Sequence, residues 1–561
     1  MGKSDHWKLA SMRISRFGTD RRSRLWLAAN KLGSTAENIS IDSWMQKHAS
    51  ATICSISYWF KRSSIAVKQL AKRVRSPTTH PAFGRTTTSS VIIITMNRIN
   101  PNTSRRRFGA KRNTNTDTDT THIKLIHIPM KIFTTLTTWL LIATGLLASD
   151  QIPGGPQKRP IIIRNATVHT VSGETIQNGS ILFRDGKISE IGINIPFPGD
   201  SEIIEAKGQH VYPGLMESHS SIGLVEIDSI RASIDTTEIG NLNPNVRAAV
   251  AFNPDSEAIP VARANGVLIA VTAPNGGLVS GRAAVMILDG WTWEGMTLLP
   301  DAAMMASWPR FAAAPRGRRG GDAEAAATTD NDRLGPLHEL IREVKAYSLT
   351  RTKTPKDQPI DLRLDSMISV VEGKTPMLVQ ANTTKQIQTA IAFAKQYQLK
   401  LILLGGADAM QCANLVKEAK VPVVVSGVYR LPSRHDAAYD AAYTLPSQLQ
   451  EAGIQFSIAS DGRFGASGLR NLPYHAATAA AFGLTEDQAI RSITLSPAEI
   501  FGVSERVGSL TVGKDATLIV TDGNILETPT QVLKAYIQGR QVDLTSKHTS
   551  LNEKYKAKYK Q

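Results

Sequence analysis

The sequence predicts an α/β protein: a (β/α)8 barrel of TIM type plus a small composite β-sandwich domain formed from both ends of the mature chain. Three observations predict it. Buried-strand runs alternate with amphipathic helices through the middle, β-rich runs flank that stretch on both sides, and the basic excess is confined to one end.

The 561 residues are 42% hydrophobic and include two Cys, which excludes a wholly disordered chain, a disulfide-stapled mini-protein and a collagen repeat. Lys and Arg number 65 against 48 Asp and Glu, a net +17 that on its own points to a polyanion. Its position argues otherwise. Residues 1–129 hold 23 of the basic and 6 of the acidic residues, leaving 42 of each over 130–561.

Met130-Lys131 precedes an apolar run, Ile132 to Ala148, that ends in the small residues Ala148-Ser149. This is the outline of a secretory signal peptide over 130–149. Translation is then expected to start at Met130, with 1–129 an over-extended, disordered N-terminus. Three other readings compete. Arg105-Arg106-Arg107 and Lys111-Arg112 can neutralise phosphates, but the segment lacks sustained helical periodicity and zinc-ligand spacing. The apolar run read as an uncleaved anchor has 17 Thr-rich residues, short of the roughly 20 a span needs. The same run also reads as a buried helix. The expectation is an exported, periplasmic protein with no nucleic-acid partner, touching membrane only through its leader before cleavage; a homo-oligomer is compatible with it. Cys54 lies in the extension, so Cys412 is the one thiol of the mature chain, and its helical surroundings point to packing rather than chemistry.

The first flank contains the β-rich runs Ile161–Val168 and Ser180–Phe183, with Asp185-Gly186 as a hairpin signal. The same texture returns at Gly508–Leu510, Gly513–Gly523 and Ala535–Val542. Between them, strand-like runs at Met377, Leu401, Val423 and Gln455 alternate with helical segments Lys385–Gln398 and Ala409–Lys420, the pattern of parallel βα units. Weaker runs near Val211, Val267, Ala284 and Met304 bring the expected barrel strands to eight. Nearly 290 residues suit such a barrel, whose core version needs about 250. The expected organisation is a β-domain from 150–212 and 504–545, a barrel over 213–503 with a flexible insertion at about 311–333, and a basic tail at 546–561.

Val211-Tyr212-Pro213-Gly214-Leu215-Met216-Glu217-Ser218-His219-Ser220-Ser221 resembles the first-strand signature of the amidohydrolase superfamily, Pro-Gly-Leu-Ile-Asp-x-His-x-His. Ile458-Ala459-Ser460-Asp461-Gly462 is similar to its eighth-strand Asp, and Ser492 to Val503 with Gly508 to Ala516 resembles its closing segment. The resemblance runs over about 160–542, nearest the imidazolonepropionase-like branch. It implies a hydrolase that uses a metal-activated water on a non-peptide carbon–nitrogen bond of a cyclic amide or related small molecule. It also implies His219 and Asp461 as metal ligands, with Asp461 as the catalytic proton acceptor. The family's remaining ligands are replaced. Ser221 stands for the second His, Gln380 for the fifth-strand His, and Leu404-Gly405-Gly406 for the sixth-strand His-Gly; no fourth-strand bridging Lys is legible.

One imidazole and one carboxylate make a poor zinc site, since catalytic zinc normally takes three protein ligands. Ser221 and Gln380 are weak oxygen donors that suit a harder ion such as Mg²⁺ or Ca²⁺. Three further readings stay open: a hydrogen-bonded interior His219, a metal-free His219–Ser221–Asp461 triad, and an inactive exported binding protein that keeps the fold without its metal centre. Substrate contacts are expected from Arg430, Arg434, His435 and Tyr439, after the Val423 run, where an Arg can grip a carboxylate. The bland alternative is a loop whose Arg–Asp pairs fix its own shape. Asn275-Gly276-Gly277 reads as turns with no phosphate-loop pattern, and no nucleotide cofactor is expected. His475 reads as a capping or surface residue, and His169, His210, His338 and His548 receive no chemistry.

Overall fold

The computed structural model describes residues 151–311, 333–353, 359–432, 434, 436–460 and 462–560, omitting the side chains of 462–465. The segment 1–129, the signal peptide expected at 130–149, most of the expected insertion, Asp461 and His435 lie outside these residues.

The chain opens with β1 (Ile161–Val168), β2 (Ile176–Arg184), β3 (Lys187–Gly192), β4 (Glu202–Glu205) and β5 (His210–Pro213). The β2–β3 turn puts Asp185 at φ 50° and Gly186 at φ 77°, the two positive dihedrals of a type I′ hairpin, which is why that dipeptide was legible. Pro213 ends β5, and Gly214 passes the chain into the barrel. A Cβ there would lie 2.9 Å from Leu268 Cδ1 and 3.0 Å from Thr517 Cγ2, so a larger residue would have to displace these side chains.

The barrel sheet runs in order through β6 (Leu215–Ser220), β7 (Val267–Thr272), β8 (Val279–Ile287), β9 (Thr297–Ser307), β10 (Met377–Ala381), β11 (Leu401–Gly405), β12 (Val423–Ser426) and β13 (Phe456–Ala459). Two expectations need correction. The run near Val211 is β5, a strand of the other sheet, and the barrel begins four residues later, at Leu215. The barrel is also not wholly parallel, because β8 runs antiparallel to both β7 and β9. Connection length explains this. Only Ala273–Leu278 joins β7 to β8, with Gly276 and Gly277 at positive φ, whereas a parallel crossover needs a dozen or more residues.

Helices supply the crossovers elsewhere. They are α1 (Ala248–Ala251) and α2 (Ala258–Arg263) before β7, and α4 (Gly335–Lys353) and α5 (Leu362–Val371) before β10; the one-turn α3 (Trp293–Met296) sits in the β8–β9 connection. Helix α6 (Thr384–Tyr397) follows β10, α7 (Ala413–Glu418) follows β11, and α8 (Ala441–Glu451) follows β12. After β13 come α9 (Leu472–Ala481), α10 (Glu486–Ser492) and α11 (Leu495–Ile500). Helix α6 begins with a capping box in which Thr383 accepts from the Gln386 N–H and Gln386 accepts from the Thr383 N–H. Strands β7 and β11 are buried at every position, as a helix-wrapped sheet requires.

The chain then returns to the first sheet through β14 (Leu518–Thr521), β15 (Val532–Ile537) and β16 (Arg540–Gln541), and ends in α12 (Lys547–Lys560). Strand β14 pairs antiparallel with β5, so the order is β16-β15-β14-β5-β1-β2-β3, with β4 also on β1. The expected sandwich is one sheet folded over itself. Phe183 on β2 and Tyr536 on β15 meet edge-to-face at 5.1 Å. A flat sheet would hold those strands about 19 Å apart, four spacings of about 4.8 Å. Ile163, Val168, Val211, Leu518 and Val520 fill the fold between them.

The two sheets are pinned at Asp289, just past β8. Its buried carboxylate takes Arg263 at 2.7 Å, Arg540 of β16 at 3.0 Å and the Gly154 N–H at 3.1 Å.

Candidate functional site

The seam between the first and last barrel strands is held by side chains. Ser218 Oγ donates to Ser457 Oγ at 2.9 Å, and the fully buried Glu217 accepts the Ser460 N–H at 3.0–3.1 Å with both oxygens. Glu217 Oε1 also accepts the His219 N–H at 3.1 Å. Burial pushes the Glu217 carboxyl up to about 7, against the pull of these hydrogen bonds. Sequence reasoning passed over this residue. It stands at the Asp position of the first-strand signature, and a carboxylate between Met216 and Ser218 on a buried strand has to find donors. The residue it grips on the far side, Ser460, immediately precedes Asp461 in the sequence.

His219 is the next residue but one from Glu217 and therefore shares its face of β6. Its ring is partly exposed, yet Nδ1 is cut off from solvent and has no hydrogen-bond partner among the described residues. Burial lowers its pKa to about 4, so the imidazole is neutral at physiological pH, the form that ligates metals or accepts a proton. Ser221, two residues on and just past β6, is partly exposed. Gln380 lies on β10, four strands away around the barrel by either route, with its side chain exposed to solvent.

The sixth-strand position is occupied in another way. Leu404 is buried in the core. Gly405, at φ 101°, has no room for a side chain, because a Cβ there would collide with Asn382 Oδ1. That oxygen is itself buried and unpartnered among the described residues. The Asn382 amide thus fills the space beside Gly405, and no group of three or more His, Cys, Asp or Glu that could hold a metal occurs among the described residues. Among the described residues, the His219 nitrogen and the Glu217 carboxylate, with hydroxyl and amide oxygens, fall short of the three good ligands a catalytic zinc normally takes.

The polar loop after β12 is held mainly by its own contacts. Arg434 bridges Asp436 at 3.0 Å and Asp408 at 3.4 Å, and Arg430 Nε donates to the Gly427 carbonyl at 2.9 Å. Both arginines line a cavity of about 100 Å³ with Asp408, Met410 and Leu445. Tyr439 is 79% exposed. His475 corrects an expectation. It is neither a cap nor a surface residue but lies buried on α9 with Leu472, Ala476 and Ala479, and its Nδ1 accepts the Val428 N–H at 3.3 Å. The spacing i, i+1, i+4 from His475, with Leu472 three before it, was the available signal that it sits on the apolar face. Cys412 is buried, as its packing role requires.

A second histidine group was likewise assigned no chemistry. His169 Nε2 meets His210 Nδ1 at 2.9 Å, and both rings stack on Tyr212. Burial, reinforced by His210, lowers His169 to about 4. Burial lowers His210 as well, and one ring N–H lies between the two nitrogens.

Comparison with known proteins gives four likenesses. A model of the Amidohydrolase family matches residues 385–549. The amidohydrolase tasK of Hapsidospora irregularis is 21% identical over 451 residues, covering 70% of this chain and 45% of that relative; the chain thus spans less than half of its length. The imidazolonepropionase of Micrococcus luteus is 24% identical over 400 residues, covering 67% of this chain and 94% of the relative. Among solved structures, an amidohydrolase from Thermotoga maritima MSB8 superposes with a TM-score of 0.61 at 26% identity, covering 68% of this chain and 99% of the other.

Proposed function

We propose, from the premise that the chain belongs to the amidohydrolase superfamily with an imidazolonepropionase-like relationship, that it hydrolyses a non-peptide carbon–nitrogen bond of a cyclic amide or related small molecule. The observation that carries this reading is His219 near the end of the first barrel strand, an imidazole whose buried Nδ1 has no hydrogen-bond partner among the described residues and whose backbone N–H is held by Glu217. In this reading His219 accepts or orients a proton at the reacting centre, and Asp461 is the proton acceptor contributed by the segment after β13. Arg430 and Arg434 bind an acidic group of the substrate, and His435 and Tyr439 are further substrate contacts. The apolar run over 132–148 supports export to the periplasm as part of the same proposal.

One observation favours a second reading, a binding protein that kept the fold: Asn382 fills the space beside Gly405, and the described donors do not make a zinc centre. The two readings separate in one experiment. The purified chain is assayed on a panel of cyclic amides, with metal content measured alongside, and compared with His219→Ala and Asp461→Asn. Turnover that falls at least about a hundredfold in both variants supports the hydrolase, the scale expected for losing a proton-transfer group. No turnover, with ligand binding unchanged in both variants, supports the binding protein.

A further inference from the structure

Helix α12 (Lys547–Lys560) has no buried residue and contributes nothing to either core. It carries Lys547, Lys554, Lys556, Lys558 and Lys560 against a single acid, Glu553, a net +4 in fourteen residues. Lys554 and Lys558, and Lys556 and Lys560, are like charges one turn apart, an arrangement that works against a solvated helix. A short exposed helix is also marginal on its own. The 3.1 Å contact between Lys556 and Glu553 relieves only one of these charges.

The remaining residues are ordered as well. Leu551, Tyr555 and Tyr559 recur at i, i+4 and i+8, making one stripe along the helix, and they are 43%, 50% and 82% exposed. At 3.6 residues per turn, Lys547, Lys554 and Lys558 run along one edge of that stripe and Lys556 along the other, with Lys558 Nζ 5.7 Å from the Tyr559 ring centre.

We propose that α12 is a docking helix for an anionic phospholipid surface, lying in the plane of the headgroups with the Leu551–Tyr555–Tyr559 stripe facing the bilayer. Tyrosines favour that boundary, where the ring is dehydrated and the hydroxyl stays wet. The lysines beside them reach lipid phosphates and carboxylates, and the like-charge repulsion along the helix is then screened by the surface. A flat row of apolar and aromatic groups suits a plane better than a nucleic-acid groove. All five cations are Lys, without the Arg that grips phosphodiesters in bidentate fashion.

The test uses the full chain and vesicles of three parts phosphatidylcholine to one part phosphatidylserine, with phosphatidylcholine alone as the comparison. Hydrogen exchange of peptides from 547–560 reads the helix itself, and vesicle sedimentation reads affinity. The serine lipid is expected to protect 547–560 and the neutral vesicles are not. Lys554→Glu/Lys556→Glu/Lys558→Glu is expected to weaken binding at least about a hundredfold, since each surface lysine contributes roughly fivefold. Tyr555→Ser/Tyr559→Ser is expected to weaken it without altering the salt dependence, and neither variant should shift the thermal midpoint. Unchanged exchange of 547–560 on the anionic vesicles overturns the proposal. So does displacement of the vesicles by a duplex oligonucleotide at lower concentration, or undiminished protection of the helix in the triple variant.

Discussion

Replacing Glu217 by Gln should change how stability depends on pH more than it changes stability itself. The carboxyl titrates near 4.5 in an unfolded chain and near 7 in the folded one, because ionisation there has to occur without water. Between those values the unfolded state has lost a proton that the folded state keeps, so stability falls as pH rises, and it stays low above 7. The difference of two and a half units corresponds to about 3 kcal/mol. Gln cannot ionise and escapes this loss. Its oxygen can still accept the His219 and Ser460 N–H groups, while its amide nitrogen faces Ser460 where Glu217 Oε2 accepted, at a cost of about 1 kcal/mol that does not vary with pH. Lowered histidines such as His169 act in the opposite sense, but they are common to both proteins and cancel in the comparison. Urea denaturation from pH 5 to pH 8 should show the variant gaining about 2.5 kcal/mol on the parent across that range, since part of the loss lies below pH 5. Parallel curves would refute the idea that this carboxyl pays for its burial.

Three other outcomes follow from the geometry. Gly405→Ala should lower the urea midpoint by an amount equivalent to about 2 kcal/mol or more, because it combines a positive φ with a collision against Asn382. Arg263→Met should destabilise the chain by about 3 kcal/mol in the same assay at neutral pH, since it leaves the buried Asp289 short of one counter-charge. His169→Phe keeps the stack on Tyr212 but removes a group that stays neutral in the fold while it is charged in the unfolded chain. Thermal melts should therefore show the variant losing about 2 kcal/mol less than the parent as pH drops from 6.5 to 4.

What could be read beforehand divides along physical lines. The Asp185-Gly186 turn was legible because positive φ at two successive residues admits few residue types. The strands from β10 to β13 were legible because burial on both faces imposes largely apolar runs, such as Leu401–Leu404 and Val423–Val425. The reversal of β8 was not, since strand composition says nothing of direction; the six residues of Ala273–Leu278 did contain that information as a length. In the site, His219 stood out by motif, whereas the role of Glu217 depends on the backbone of Ser460, 243 residues away, a pairing the local pattern does not identify. Asn382 was likewise invisible, because its role rests on the missing side chain of Gly405 on the neighbouring strand.

The folded-over sheet also sets an order of events during synthesis. Its middle strand, β5, is made before the whole barrel, but the β14 edge that pairs with it is not translated until some three hundred residues later. Until then β5 presents an unpaired edge, a ready template for a neighbouring chain. Long-range closure of this kind is slow, so a nascent or truncated chain lacking Leu518–Thr521 is the form in which this protein is most prone to aggregate.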